Sequence, residues 1–176
     1  MIKLTKIKTP LGEMVAGAIR EGICLLEFSD RKTLSSEYED LARLLNTGTE
    51  SGSNKHLRAL KKQLKEYFKG KRKEFSVPLV TPGTEFQQSV WKEILKIPYG
   101  STKSYMEQAI SLEKPGAVRA VANANGANRI SIVIPCHRVI GSDGHLVGYG
   151  GGLKRKKWLL DHEKIYSGKA VELDLF

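Results

Sequence analysis

Apolar and polar residues alternate from Lys3 to Lys8, the period of a half-buried strand, and Thr9-Pro10-Leu11-Gly12 then supplies turn chemistry. Met14 to Ile19 and Ile23 to Phe28 read as two further strands, with Arg20-Glu21-Gly22 as the turn between them. The period then lengthens. Ser35 to Leu45 predicts a helix, and Asn46 to Ser53, rich in Gly, Ser and Thr, predicts a loop. From Asn54 to Lys69 a second helix puts Leu57, Leu60, Leu64 and Phe68 on one face and its lysines elsewhere, and Gly70 ends it.

Two prolines and a glycine within Pro78 to Gly83 mark a domain boundary, dividing the chain into 1–80 and 81–176. Beyond it helices dominate. Thr84 and Gln87 form a capping box ahead of an apolar face of Phe86, Val90, Trp91, Ile94 and Leu95, and Pro98-Tyr99-Gly100 stops that helix. Two short helices, about Ser104 to Ser111 and Ala117 to Asn125, are compatible with a helix-turn-helix. Ile132 to Ile134 reads as a strand, and Lys154 to His162 as a last helix anchored by Trp158, Leu159 and Leu160. The fold class is α/β in the α+β sense, strands first and helices after.

Charge and cysteine content narrow the function. The 176 residues carry 29 Lys plus Arg against 19 Asp plus Glu, an excess of +10 that favours a polyanionic partner, nucleic acid first. No run approaches a membrane span and the N-terminus lacks the apolar core of a signal peptide, so a cytoplasmic, reducing setting is expected. Cys24, inside an apolar strand, reads as a core residue, whereas Cys136 sits in SIVIPCHRVI, where the chain turns from apolar to Cys-His-Arg.

A cysteine reacts as its thiolate, and a neighbouring imidazole can take the proton directly or through one water. His137 is that candidate base. A carboxylate behind the imidazole would fix its tautomer. Asp143 is near but sits in a Ser-Asp-Gly turn, and Glu163 stands at a helix C-terminus, where an acid opposes the helix dipole. Spacing alone leaves the choice open. Two cysteines and four histidines without paired spacing argue against a metal, and no cofactor is indicated. Gly148 to Gly152 lacks the features of a phosphate loop and reads as a pocket wall with Tyr149 as its large group. Lys154-Arg155-Lys156-Lys157 reads as a solvated charge run.

Four segments in order, FQQSVWKEILKIPYGSTKSY, PGAVRAVANANGAN, IPCHRVI and GYGGGLKRKKWLLDHE, resemble the O6-alkylguanine-DNA alkyltransferases over about Phe86 to Glu163. The resemblance implies a small ribonuclease H-like N-terminal α/β domain with antiparallel strands before a mainly helical, catalytic and DNA-binding one. It implies that Cys136 accepts an alkyl group irreversibly from O6-alkylguanine, with O4-methylthymine a second candidate substrate. His137 would be its water-linked base and Glu163 the partner of His137. Asn128 would brace the turn bearing the cysteine, and Tyr105 would crowd a phosphate and protonate the departing guanine. Arg119 would fill the stack of duplex DNA entered from the minor groove. Tyr149, with backbone from Val139 and Gly150, would line the base pocket, and Ser142 and Lys114 would add DNA contacts. Arg129 stands where relatives often have proline, implying a looser loop, and Gly150 where some have serine, implying a wider pocket. The protein is expected to act as a monomer, with clustering on DNA allowed. Two other classes remain in view: a protein that binds the lesion without repairing it, and a cysteine hydrolase.

Overall fold

The structure is a computed structural model and describes residues 1–168. The three opening strands form an antiparallel meander, β1 (Ile2–Thr9), β2 (Gly12–Ile19) and β3 (Gly22–Phe28). Helix α1 (Leu34–Leu44) follows, and then a strand where a loop was expected, β4 (Thr49–Ser51), parallel to β1. The sheet order is therefore β3-β2-β1-β4, and the sheet is mixed. All three β4 residues are exposed, so its pairing rests on backbone hydrogen bonds and the Lys3–Glu50 ion pair and leaves no apolar alternation to read.

Helix α2 (Lys55–Phe68) starts on an Asn54 side chain that accepts from the Leu57 N–H. It buries Leu57, Leu60 and Leu64 as expected, and Tyr67 as well, while Phe68 is only partly covered. Gly70, at φ +74°, takes the left-handed position just past the helix end, which a residue with a Cβ adopts only at a cost.

The Pro78–Gly83 segment is strapped to the sheet. The Ile23 N–H donates to the Pro78 carbonyl at 2.8 Å, and Val80 donates back to Ile23 at 2.8 Å. Farther along the same edge of β3, Leu26 donates to Arg129 (2.8 Å) and Ser131 donates to Leu26 (2.9 Å). One strand edge thus holds both the connection between the halves and the approach to the Cys-His-Arg triplet.

Helix α3 (Glu85–Leu95) begins with the expected capping box. Val90, Trp91 and Ile94 are buried, but Leu95 is not; it lies one step round the helix from Ile94, past the edge of the apolar stripe. Helices α4 (Tyr105–Ser111) and α5 (Val118–Gly126) follow, with Ser104 and Glu107 capping the first. The Trp91 indole N–H donates to the Ala124 carbonyl at 2.9 Å and pins α5 against α3. Two-residue strands β5 (Lys103–Ser104) and β6 (Val139–Ile140) pair in parallel around the triplet.

Residues 132–134 do not form the expected strand. They make a buried turn in which Ile132 takes φ +71° and Ile134 donates to the Ile130 carbonyl. The apolar run signalled burial on all sides, and burial alone does not separate a strand from a turn threaded through the core. Helix α6 (Leu153–Tyr166) runs a turn longer than predicted, with Leu159 fully buried. A single apolar core joins the halves, with Met14, Leu26 and Phe28 from the sheet meeting Trp91, Ile134 and Leu159. Among the described residues no helix is long and apolar enough to cross a membrane.

Trp91→Phe keeps an aromatic ring but removes the indole donor, leaving the Ala124 carbonyl the Ala127 N–H at 3.2 Å. It should lower the unfolding free energy by about 1–3 kcal/mol in urea titration; an unchanged midpoint would show that the pin carries no weight.

Candidate active site

Pro135 leads into a single 3-10 turn, Cys136–Arg138. The turn is braced from one side by Asn128, itself buried. Its amide N–H group donates to the Ile134 carbonyl at 2.9 Å and to Cys136 Sγ at 3.3 Å, and its oxygen accepts from the Ile130 N–H. Asn128 was expected to brace this turn, and it also touches the sulfur. Arg129 does not loosen the loop: its guanidinium donates to the Pro82 carbonyl and its own carbonyl holds Leu26.

Cys136 is half-buried, and burial pushes its thiol up while the Asn128 hydrogen bond pulls it back. His137 and Glu163 are fully buried side by side, with His137 Nε2 2.7 Å from Glu163 Oε2. His137 Nδ1 is buried without a hydrogen-bond partner among the described residues. Arg138 lays its guanidinium along the same carboxylate, Nε to Oε1 at 2.7 Å and Nη2 to Oε2 at 3.1 Å, and gives Nη1 to the Ile97 carbonyl. Tyr67 donates its hydroxyl to Oε2 at 2.6 Å, and the Gly100 N–H approaches Oε1 at 3.3 Å. Burial opposes the charge on Glu163, but His137 and Arg138 overcome it and hold the carboxyl well below the usual range. Burial draws His137 down, only partly offset by Glu163, so the imidazole rests neutral at pH 7. Asp143 pairs with exposed His145 in its turn and takes no part.

Cys136 opens on a cavity of about 560 Å³. Its walls are Tyr105 from α4, Val118, Arg119, Ala122 and Asn123 from α5, and Val147 to Gly150. Arg119 is exposed at the rim. Tyr105 donates its hydroxyl to the Val147 carbonyl at 3.1 Å. Tyr149 lies in the wall, its hydroxyl shielded and its pKa raised well above the usual value by burial. Lys114 and Ser142 lie outside the cavity lining and are exposed, Lys114 over the Phe86 ring at 5.1 Å. Val139 was expected on the wall, but it is buried outside the lining, and its carbonyl accepts from Lys156. Gly150 does line the cavity, yet a Cβ there would sit 2.5 Å from the Arg31 guanidinium carbon. The space a serine would use is already filled, so the glycine does not widen the pocket.

The basic run of α6 is not uniformly solvated. Lys154 and Lys157 are exposed, but Lys156 is fully buried. Its three donors reach the carbonyls of Val139 (2.5 Å), Val147 (3.0 Å) and Gly148 (3.1 Å), tying the wall to β6, and burial draws its pKa down to about 8. Arg155 grips Asp30 with two nitrogens and lies 4.1 Å over the Phe28 ring, clamping α6 to the sheet. A second buried carboxylate, Glu27, accepts from Arg31 and from Ser131 beneath the turn, and Arg31 reaches on to the Gly126 carbonyl at the end of α5. Burial, then the nearby Glu37, raises Glu27 to about 7.

Lys156 and Tyr67 had been missed, although spacing marks both. Lys156 is three residues before Leu159 and seven before Glu163, and Tyr67 is three after Leu64, so each lies on its helix's inward face. Removing the Lys156 ammonium takes a donor from three carbonyls, of which Val147 keeps the Tyr105 hydroxyl. Lys156→Met should therefore cost about 2–4 kcal/mol of unfolding free energy, while exposed Lys154→Met stays within about 0.5 kcal/mol. Equal midpoints for the two variants would contradict the clamp.

Residues 85–165 match the family described as 6-O-methylguanine DNA methyltransferase, DNA binding domain, and residues 2–81 match its ribonuclease-like domain. The methylated-DNA--protein-cysteine methyltransferase of Methanosarcina barkeri is 42% identical over 158 residues, spanning 90% of this chain and 94% of its own. That of Mycobacterium tuberculosis is 55% identical over 114 residues, 65% of this chain and 68% of its own. A crystal structure of the Mycobacterium tuberculosis OGT in complex with DNA superposes with a TM-score of 0.78 at 40% identity, covering 92% of each chain.

Proposed function

Because the chain belongs to the O6-methylguanine DNA methyltransferase family, and so repairs O6-methylguanine by direct methyl transfer to an active-site cysteine, we propose that Cys136 is that cysteine. The observation that carries this reading is one juxtaposition. The sulfur opens on a cavity, and the next side chain is a neutral imidazole backed by a fully ionised, buried carboxylate.

His137, with Nε2–H held by Glu163, keeps the lone pair of Nδ1 free to take the thiol proton through one water. The thiolate then displaces guanine from the methyl carbon: the C–S bond forms as the C–O6 bond breaks. Tyr105 exchanges the Val147 carbonyl for the guanine ring and donates the proton the leaving base needs. In sum the thiol proton passes to the guanine, His137 restoring Tyr105. The product is a thioether, which water does not cleave, so each protein repairs one lesion. The unreacted Cys136 thiol has to be kept reduced, which fits a cytoplasmic setting.

A lesion inside duplex DNA is out of reach of the sulfur, and the base has to leave the stack at a cost of a few kcal/mol. Arg119, exposed on α5 at the cavity rim, fills the vacated place from the minor groove. Asn128 positions the sulfur, Tyr149 and Gly150 bound the base, and Lys114 and Ser142 touch the backbone beyond it. The excess of positive charge supplies salt-sensitive affinity for that backbone. The reacting groups all come from one chain, so a monomer suffices. We take 1–80 as the supporting domain and 81–176 as the catalytic one, of which 169–176 lie outside the described residues.

After incubation with O6-methylguanine DNA, mass spectrometry should find the Cys136 peptide heavier by one CH2. An unmodified peptide with DNA still bound would make the protein a lesion binder. Arg119→Ala should slow repair of duplex DNA far more than reaction with free O6-benzylguanine; equal losses would refute its role in flipping.

A further inference from the structure

Among the described residues, the N-terminal half reaches the Glu163 carboxylate through the Tyr67 side chain. Tyr67, on the last turn of α2, is fully buried, and its hydroxyl meets Glu163 Oε2, the same oxygen that accepts from His137. Arg138 Nη2 touches that oxygen too. Oε2 therefore has three donors, and only one of them belongs to the proton relay. The Tyr67 ring is held by Phe68, Phe75, Tyr99 and His162, and its own backbone carbonyl takes His162 Nε2, so the hydroxyl has little freedom to point elsewhere.

A carboxylate shared among donors is a weaker base towards each of them. Glu163 must hold the Nε2 proton to fix the tautomer, yet it must not stabilise the imidazolium so far that His137 rests protonated. We propose that Tyr67 is a positioning residue for the alkyl transfer, drawing charge from Glu163 so that His137 stays neutral and able to accept the thiol proton. The proposal rests on the reading of His137 as the base of Cys136. The other titratable groups around the pair are Arg138 beside Glu163, Tyr99 from the loop after α3, Lys156 from α6, and Cys136 itself. Burial, then Glu163, keeps the Tyr67 hydroxyl protonated far beyond the working range, so it acts as a fixed donor and not as a relay member.

Tyr67→Phe removes the hydroxyl and keeps the ring. With one donor fewer, Glu163 favours the imidazolium more strongly, and the pKa of His137 rises. Single-turnover alkyl transfer measured against pH should show its acid limb displaced upward by about one unit. The plateau at higher pH should remain within about twofold of the parent. A purely structural role would lower the unfolding midpoint and scale the rate equally at every pH, and a limb that superimposes on the parent's overturns the proposal. His137→Gln separates the two levels. If the parent's acid limb persists in that variant, the limb does not belong to His137, and the relay reading falls together with this one. Should Tyr67→Phe not fold, the unmodified protein still decides. With tyrosine labelled at Cζ, the Tyr67 carbon should keep its protonated shift well past the ordinary value of about 10. Ionisation near 10 would show that the hydroxyl is not held by Glu163.

Discussion

Glu163 is a carboxylate with no exposure to water, and a charge in that position persists only if the protein replaces its hydration. Three separate segments do so for Glu163 on α6: α2 through Tyr67, the turn after α3 through Gly100, and the 3-10 turn through His137 and Arg138. Each was brought there by ordinary packing. α2 presents Tyr67 because Leu57, Leu60 and Leu64 bury that face, and α6 presents Glu163 because Leu159 anchors its own. The proposed proton relay is therefore also a structural knot, and loss of its carboxylate would strand the Arg138 guanidinium in the interior.

Two further buried charges extend the pattern. Lys156 gathers three carbonyls of the cavity wall and β6, and Glu27 with Arg31 and Ser131 supports the turn before Cys136 from the sheet side. The reactive sulfur thus sits between a carboxylate centre behind it and an ammonium centre beside it. The first is held mainly by side chains and the second by backbone carbonyls, and together they fix the geometry of the cavity before any DNA arrives. The strained Ile132 sits within this framework, in a left-handed conformation that buried neighbours on all sides enforce.

Much of this was legible beforehand. The strands between Lys3 and Phe28, the helices starting near Asn54 and Ser104, the capping box at Thr84 and the place of Cys136 at the lip of the core all followed from periodicity and turn chemistry. What escaped has a common physical origin. β4 is exposed and polar throughout, Ile132 to Ile134 is apolar because it is enclosed and not because it is extended, and Lys156 hides in a run of four basic residues of which only the helical phase tells one from the next. Spacing could not choose between Asp143 and Glu163, since the contact with His137 joins elements 26 residues apart. The resemblance named Glu163, and the fold brings it within 2.7 Å of the imidazole.

In the mechanism proposed for Cys136, Glu163 holds a proton on His137 Nε2 and leaves Nδ1 as the acceptor. Long-range nitrogen–proton correlation spectra of the ¹⁵N-labelled, unreacted protein at neutral pH test this directly. His137 should show a neutral ring with Nε2 protonated and Nδ1 bare. A ring protonated at Nδ1, or an imidazolium, would contradict it.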